Sequence, residues 1–158
     1  MKLLLVGGPP STGKTTIIQR VIEKRKDTYK IAYLKMDVVT AHEEALIKEK
    51  YGINARTVYA GDLCPDHAEV MIISDAIKWA ESINADLVII ESAGLCLRCS
   101  PYLNQGLGVV VLSMLSGLHS VDKMKQLICF ADVALLTMND LVCQAEREVY
   151  IKKIKSSF

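Results

Sequence analysis

No run of apolar residues in this chain approaches the length of a membrane span, although hydrophobic types make up 51% of its 158 residues. They are spread over many short runs, the pattern of a buried core. Nor is a leader expected. Lys2 and the apolar residues behind it mimic the start of a signal peptide, but the run reaches only Val6 before Gly7-Gly8-Pro9-Pro10. The chain therefore reads as soluble and cytoplasmic, with no membrane partner. An excess of either charge is also missing: 19 Lys and Arg face 18 Asp and Glu. That removes the basic footprint of a nucleic-acid binder. The tail carrying Lys152, Lys153 and Lys155 is offset by Glu146 and Glu148 and reads as a solvated helix face. No repeat, low-complexity tract or linker breaks the chain. Its length suits one domain, 1–158, able to bury most of its apolar surface.

What is present begins almost at the first residue. An apolar run, Lys2-Leu3-Leu4-Leu5-Val6, leads into Gly7-Gly8-Pro9-Pro10-Ser11-Thr12-Gly13-Lys14-Thr15-Thr16. A helical pattern follows over about 15–26. Strand, Gly-x-x-x-x-Gly-Lys-Thr and helix in that order form the context a phosphate-binding loop needs. Gly8 and Gly13 let the backbone curl so that successive N–H groups, across Pro9, Pro10, Ser11 and Thr12, surround phosphate oxygens. The helix N-terminus adds partial positive charge, Lys14 reaches the β- and γ-phosphates, and Thr15 offers a hydroxyl to Mg²⁺. This pattern predicts nucleoside triphosphate binding.

The remaining chain alternates strands with helices. Strands are expected at 29–36, 53–59, 86–91, 107–114 and 131–138. Helices are expected at 40–51 (Thr40 as N-cap, Glu43 completing a capping box), from the 61–66 loop to about 83, at 121–130 and at 141–155. Such alternation predicts an α/β three-layer fold, a mostly parallel sheet with helices on both faces. Ligands then sit at the carboxyl ends of strands, where Asp37, Cys64, Glu91 and Asp140 fall. The stretch from 92 to about 105 is longer than an ordinary connection, a property of functional loops.

Glu91 closes an apolar strand and precedes Ser92-Ala93-Gly94. An acid there holds Mg²⁺ directly or through water, while the Gly94 N–H meets a γ-phosphate, as in a nucleotide-sensing switch. Asp37 closes the second strand and would position Mg²⁺ or the attacking water. Lys14, Asp37 and Glu91 are the candidate catalytic residues. Thr137-Met138-Asn139-Asp140 stands where GTPases carry Asn/Thr-Lys-x-Asp. A carboxylate there accepts two hydrogen bonds from guanine that adenine cannot supply, and Asp140 is otherwise a turn residue. Met138 replaces the usual lysine and brings no charge.

Five cysteines in a chain expected to be intracellular argue against a disulfide framework. Cys129 and Cys143 lie in apolar helical patterns and are expected in the core. Cys64-x-x-His67 and Cys96-x-x-Cys99 have spacings suited to Ni²⁺ or Zn²⁺. The four can close one Cys₃His site, a pair can meet its mate across a dimer, or four cysteines of two chains can share an iron–sulfur cluster. His42 and His119 are expected at the surface.

Taken together, the phosphate loop, Asp37-Val38-Val39-Thr40, Cys64-Pro65-Asp66-His67 and Asp86-Leu-Val-Ile-Ile-Glu91-Ser-Ala-Gly94-Leu-Cys96 resemble the nickel-insertion GTPases of hydrogenase and urease maturation, the HypB and UreG group of the SIMIBI class. The resemblance implies a P-loop fold, GTP hydrolysis with Mg²⁺, nucleotide- or metal-dependent homodimers, and metal delivery to a metalloenzyme or another maturation factor. By carry-over, Lys14 and Thr15 bind phosphate and Mg²⁺, Asp37 and Glu91 serve the switches, and Cys64, His67 and Cys96 hold metal. Asp66 is inserted between Pro65 and His67, and Cys99 adds a sulfur. The group continues beyond the position of Phe158 with another strand and a second base-contacting loop. Two other readings are a metal-sensing module that binds nucleotide without hydrolysis, and a P-loop ATPase of the cluster-carrier kind. Those ATPases carry a second lysine where this chain has Pro9.

Overall fold

The computed structural model describes residues 1–37, 43–59, 65–92 and 105–157. Among them six strands form one sheet: β1 (Lys2–Gly7), β2 (Ile31–Asp37), β3 (Asn54–Tyr59), β4 (Leu87–Glu91), β5 (Leu107–Ser113) and β6 (Val133–Thr137). Every pairing is parallel, and the spatial order is β3-β2-β4-β1-β5-β6. Parallel strands covered on both faces read as continuous apolar runs rather than alternating ones. Ile-Ala-Tyr-Leu-Lys-Met in β2 is buried residue after residue, including its lysine.

Helices α1 (Lys14–Arg25) and α2 (Glu43–Tyr51) cover one face. There Ile18, Ile22, Ile47 and Tyr51 pack with Val6, Tyr33, Ile89 and Val111. On the opposite face α3 (Pro65–Ser82) sets Ile73, Ala76 and Ala80 against Leu5, Leu34, Met36 and Ile90. The β5–β6 end of that face is covered by α4 (Leu118–Lys123), α5 (Lys125–Cys129) and α6 (Gln144–Lys155), whose Val121, Leu127, Ile128, Tyr150 and Ile154 pack with Val110 and Leu112. The three-layer α/β arrangement expected from the sequence is the one observed.

The outer edge of β3 is closed by a side chain. Glu44, in the first turn of α2, accepts the Thr57 N–H at 2.7 Å and pairs with Lys48 at 2.6 Å. Burial alone would raise the Glu44 carboxyl, but Lys48 and Thr57 hold it below the ordinary carboxylate range.

Three expectations need correction. The helix expected over 121–130 is two helices, broken at Met124 (φ −101°, ψ 11°). The break turns the chain so that Val121 on one side and Leu127 and Ile128 on the other enter one cluster with the buried Met124. The last helix starts at Gln144, because Asn139–Leu141 forms a 3-10 turn and Val142 and Cys143 are extended. Finally, Cys129 and Cys143 are exposed rather than in the core. Cys129 closes α5 on the side away from Leu127 and Ile128, where its thiol meets Ser157 O at 2.7 Å. Cys143 caps α6 instead of lying within it. His119 is exposed, as expected, while Thr40 and His42 lie outside the described residues.

Candidate functional site

The chain leaves β1 through a loop whose backbone repeatedly enters positive φ: Gly8 at 135°, Ser11 at 60° and Gly13 at 90°. Such alternation turns successive N–H groups to one side, making an anion-binding concavity. Gly8 is required twice over. A Cβ there would lie 2.2 Å from the Val111 carbonyl oxygen of β5, in a conformation L residues rarely adopt. Gly13 ends the loop in the left-handed region, and the first intrahelical bond of α1 runs from Ile17 N–H to Gly13 O. The first-turn N–H groups of α1 precede that bond, so their acceptors must come from outside the helix ladder.

The loop is braced from within and from β6. Buried Thr12 donates its hydroxyl to Pro9 O at 2.9 Å. Lys14 Nζ donates to Gly8 O at 2.8 Å and Pro9 O at 2.9 Å, so the ammonium arches back over the loop. Thr137, at the end of β6, donates its hydroxyl to Thr12 O at 2.7 Å. Thr137 is thus tied to the phosphate loop through the main chain, a role spacing alone did not reveal.

Opposite the loop stand the ends of β2 and β4. Glu91 is 2% exposed, a burial an isolated carboxylate would not tolerate. Its two oxygens are each satisfied by a hydroxyl: Oε1 accepts from Thr15 at 2.7 Å and Oε2 from Tyr33 at 2.7 Å. Burial and then the charge on Glu91 push the Tyr33 phenol far above its ordinary value of 10.0, so it remains a donor. Lys35, in register with Glu91 across the β2–β4 pair, is also buried. Its ammonium lies 2.6 Å from Glu43 and 3.6 Å from Asp37.

These groups surround a cavity of about 430 Å³ lined by Pro10, Ser11, Gly13, Lys14, Thr15, Thr16, Lys35, Asp37, Glu43, Glu91 and Ser92. Lys14, Thr15, Asp37 and Glu91, expected from the sequence as one site, are brought together. Tyr33, Lys35 and Glu43 are additions. For Tyr33 and Lys35 a signal was present in β2, where Tyr33, Lys35 and Asp37 occupy alternate positions and so share one face of an otherwise apolar strand; Glu43, in α2, had none. Asp140 is exposed in the 3-10 turn after β6, and the Met138 sulfur before it accepts from the Ser113 hydroxyl at 3.2 Å.

Gly94, Cys64, Cys96 and Cys99 lie outside the described residues, and of His67 only its place in α3 is described. Among the described residues no three His, Cys, Asp or Glu side chains converge as a metal site, and no helix is long and apolar enough to cross a membrane.

Residues 2–157 match the family model described as CobW/HypB/UreG, nucleotide-binding domain. The chain belongs to this family. It is 33% identical over 155 residues to an uncharacterized protein of Methanocaldococcus jannaschii, covering 98% of this chain and 66% of that one. A probable hydrogenase maturation factor HypB of the same organism is 28% identical over 135 residues, covering 85% of this chain and 60% of that one. The chain thus spans two thirds or less of the length of these curated relatives. Its fold matches the crystal structure of HypB from Helicobacter pylori in complex with nickel with a TM-score of 0.75 at 22% identity, covering 99% of this chain and 72% of that one. The fold is that of an α/β P-loop NTPase.

Proposed function

We propose that this chain is a GTP-dependent switch that hydrolyses its nucleotide slowly and couples that cycle to delivery of nickel or zinc during metalloenzyme maturation. The observation that carries the reading is the convergence of Lys14, Thr15, Asp37 and Glu91 on one polar cavity at the mouth of the phosphate loop. In the hydrolytic step a water oxygen bonds to the γ-phosphorus as the bond to the β–γ bridging oxygen breaks, and the product is GDP with inorganic phosphate. The loop N–H groups and the first turn of α1 hold the phosphate oxygens. Lys14 exchanges the Gly8 and Pro9 carbonyls for β- and γ-oxygens. Asp37 orients the water.

The Thr15 hydroxyl with the Asp37 and Glu91 carboxylates makes an all-oxygen donor set, which fits a hard cation. Mg²⁺ bound there supplies neutralisation of the phosphate charge. Tyr33 fixes the second Glu91 oxygen and orients the carboxylate toward Thr15. Guanine is selected by Asp140, and the bond from Thr137 to Thr12 ties that selection to the phosphate grip. Cys64, His67, Cys96 and Cys99 hold the transferred metal. The nickel in the H. pylori HypB structure supports a nickel cargo. A homodimer and a client metalloenzyme or second maturation factor complete the reading.

Titration of the purified chain with GTP and ATP, with and without Mg²⁺ and with nickel content measured on the same sample, tests this. GTP is expected to bind more tightly than ATP, and Asp140→Asn to narrow that gap. Equal affinities would remove the guanine assignment. No affinity for either triphosphate would end the switch reading. Substituting Cys96 and Cys99 together is expected to release bound nickel, and undiminished nickel would remove the loop cysteines from the site.

A further inference from the structure

Position 35 lies between Leu34 and Met36 in a strand buried on both faces, where an aliphatic side chain would be the cheaper occupant. The chain instead places an ammonium there, 7% exposed and facing the phosphate-loop cavity. Its partners are carboxylates from two elements, Asp37 at the end of β2 and Glu43 at the start of α2. The acids of this cavity are therefore satisfied in two different ways. Glu91 takes two neutral hydroxyls, and the Thr15 hydroxyl keeps lone pairs for a cation. Asp37 faces a full positive charge 3.6 Å away. A divalent cation approaching Asp37 meets that charge as repulsion.

We propose that Lys35 is a positioning residue that keeps the divalent cation out of this site until a triphosphate arrives with it. The inference rests on the reading of Asp37 as a cation ligand. The negative charge of a triphosphate is large enough to hold both the cation and the Lys35 ammonium, whereas in the free cavity the lysine already cancels one of the two negative charges of Asp37 and Glu43. Cation and nucleotide then bind as one unit, and the free protein does not collect divalent ions from its surroundings at the place meant for phosphate. Charge, rather than shape, sets the order.

The test is Mn²⁺ binding, followed by electron paramagnetic resonance of the free ion, in the absence of any nucleotide. Lys35→Gln is expected to bind Mn²⁺ about tenfold more tightly than the parent protein, because the repelling charge is gone while the carboxylates remain. Lys35→Arg, which keeps the charge, is expected to behave as the parent does, a rescue that a purely structural role would not produce. Adding Asp37→Asn to Lys35→Gln is expected to abolish the gain. Lys35→Met serves as a second charge-free variant should the glutamine fail to fold. Parent-like Mn²⁺ affinity in a folded Lys35→Gln or Lys35→Met would overturn the proposal. The measurement contains no nucleotide. A gain in Mn²⁺ affinity in a chain that binds no triphosphate would therefore sink the nucleotide reading, and with it the arrival of cation and nucleotide as one unit, and leave standing only the repulsion of the cation by Lys35.

Discussion

Among the described residues, two of the hollows beyond the ends of the strands are made of opposite materials. One, of about 430 Å³, is walled by the phosphate loop, Lys14, Lys35, Asp37, Glu43 and Glu91. The other, of about 660 Å³, is walled by Met114, Leu115, Leu118, Leu141, Val149 and neighbouring side chains of the β5–β6 end. The larger hollow is apolar, and its rim leaves Leu115, Leu141 and Val149 more than half exposed. Glu146 and Tyr150 are the charged and hydroxyl-bearing side chains among its described lining residues. In the smaller one, buried charges are held by short hydrogen bonds and ion pairs that cost desolvation to assemble. Size reports where the surface is concave; the expense of the lining reports where chemistry was selected.

That contrast can be broken or sharpened by substitution. The largest effect is expected from Gly8→Ala, which drives a Cβ to within 2.2 Å of Val111 O. It should cost about 3 kcal/mol of stability in denaturant unfolding and abolish nucleotide binding, since the loop must leave β5. Next, Lys14→Ala should leave the fold intact but weaken triphosphate binding about 100-fold in calorimetric titration, with binding of an apolar fluorescent dye to the large hollow unchanged.

Tyr33→Phe removes one of two donors to a buried carboxylate and should cost about 2 kcal/mol. Its pH signature is specific. Because the folded phenol is raised above its ordinary 10.0, the unfolded chain loses this proton first as pH climbs, so stability should fall above pH 10. The Tyr33→Phe protein should lack that component, and unfolding curves taken on both sides of pH 10 would show it. The smallest effect belongs to Val149→Lys on the rim of the apolar hollow. Its stability should stay within about 0.5 kcal/mol of the parent and its nucleotide affinity should not change, while dye binding drops. A large loss of nucleotide affinity in that protein would erase the distinction between the hollows.

The elements that the sequence made legible are those whose signals are local. A Gly-x-x-x-x-Gly-Lys-Thr run after an apolar stretch states its own geometry, and an acid ending a buried strand announces its place at the sheet's carboxyl edge. What stayed hidden depends on packing between distant segments. Tyr33 and Glu91 are separated by 58 positions and meet only because β2 and β4 pair in one register. Lys35 reads in sequence as an interruption of an apolar strand, and its partner Glu43 is fixed by how α2 docks. Cys129 and Cys143 are exposed although apolar patterning counts cysteine as a hydrophobe. One sits on the outer side of a short helix and the other on a cap. The break at Met124 carries no glycine or proline to mark it, so it had no signature in the chain.

The hydroxyl of Thr137 spans a gap no other described side chain is shown to cross, from the last strand of the sheet to the carbonyl of Thr12. A sheet edge and a tight turn, 125 positions apart in the chain, are stitched into one rigid piece by a single methyl-bearing alcohol. Whatever displaces the end of β6 therefore tugs on the mouth of the turn, and a lesion made at either place will be felt at both.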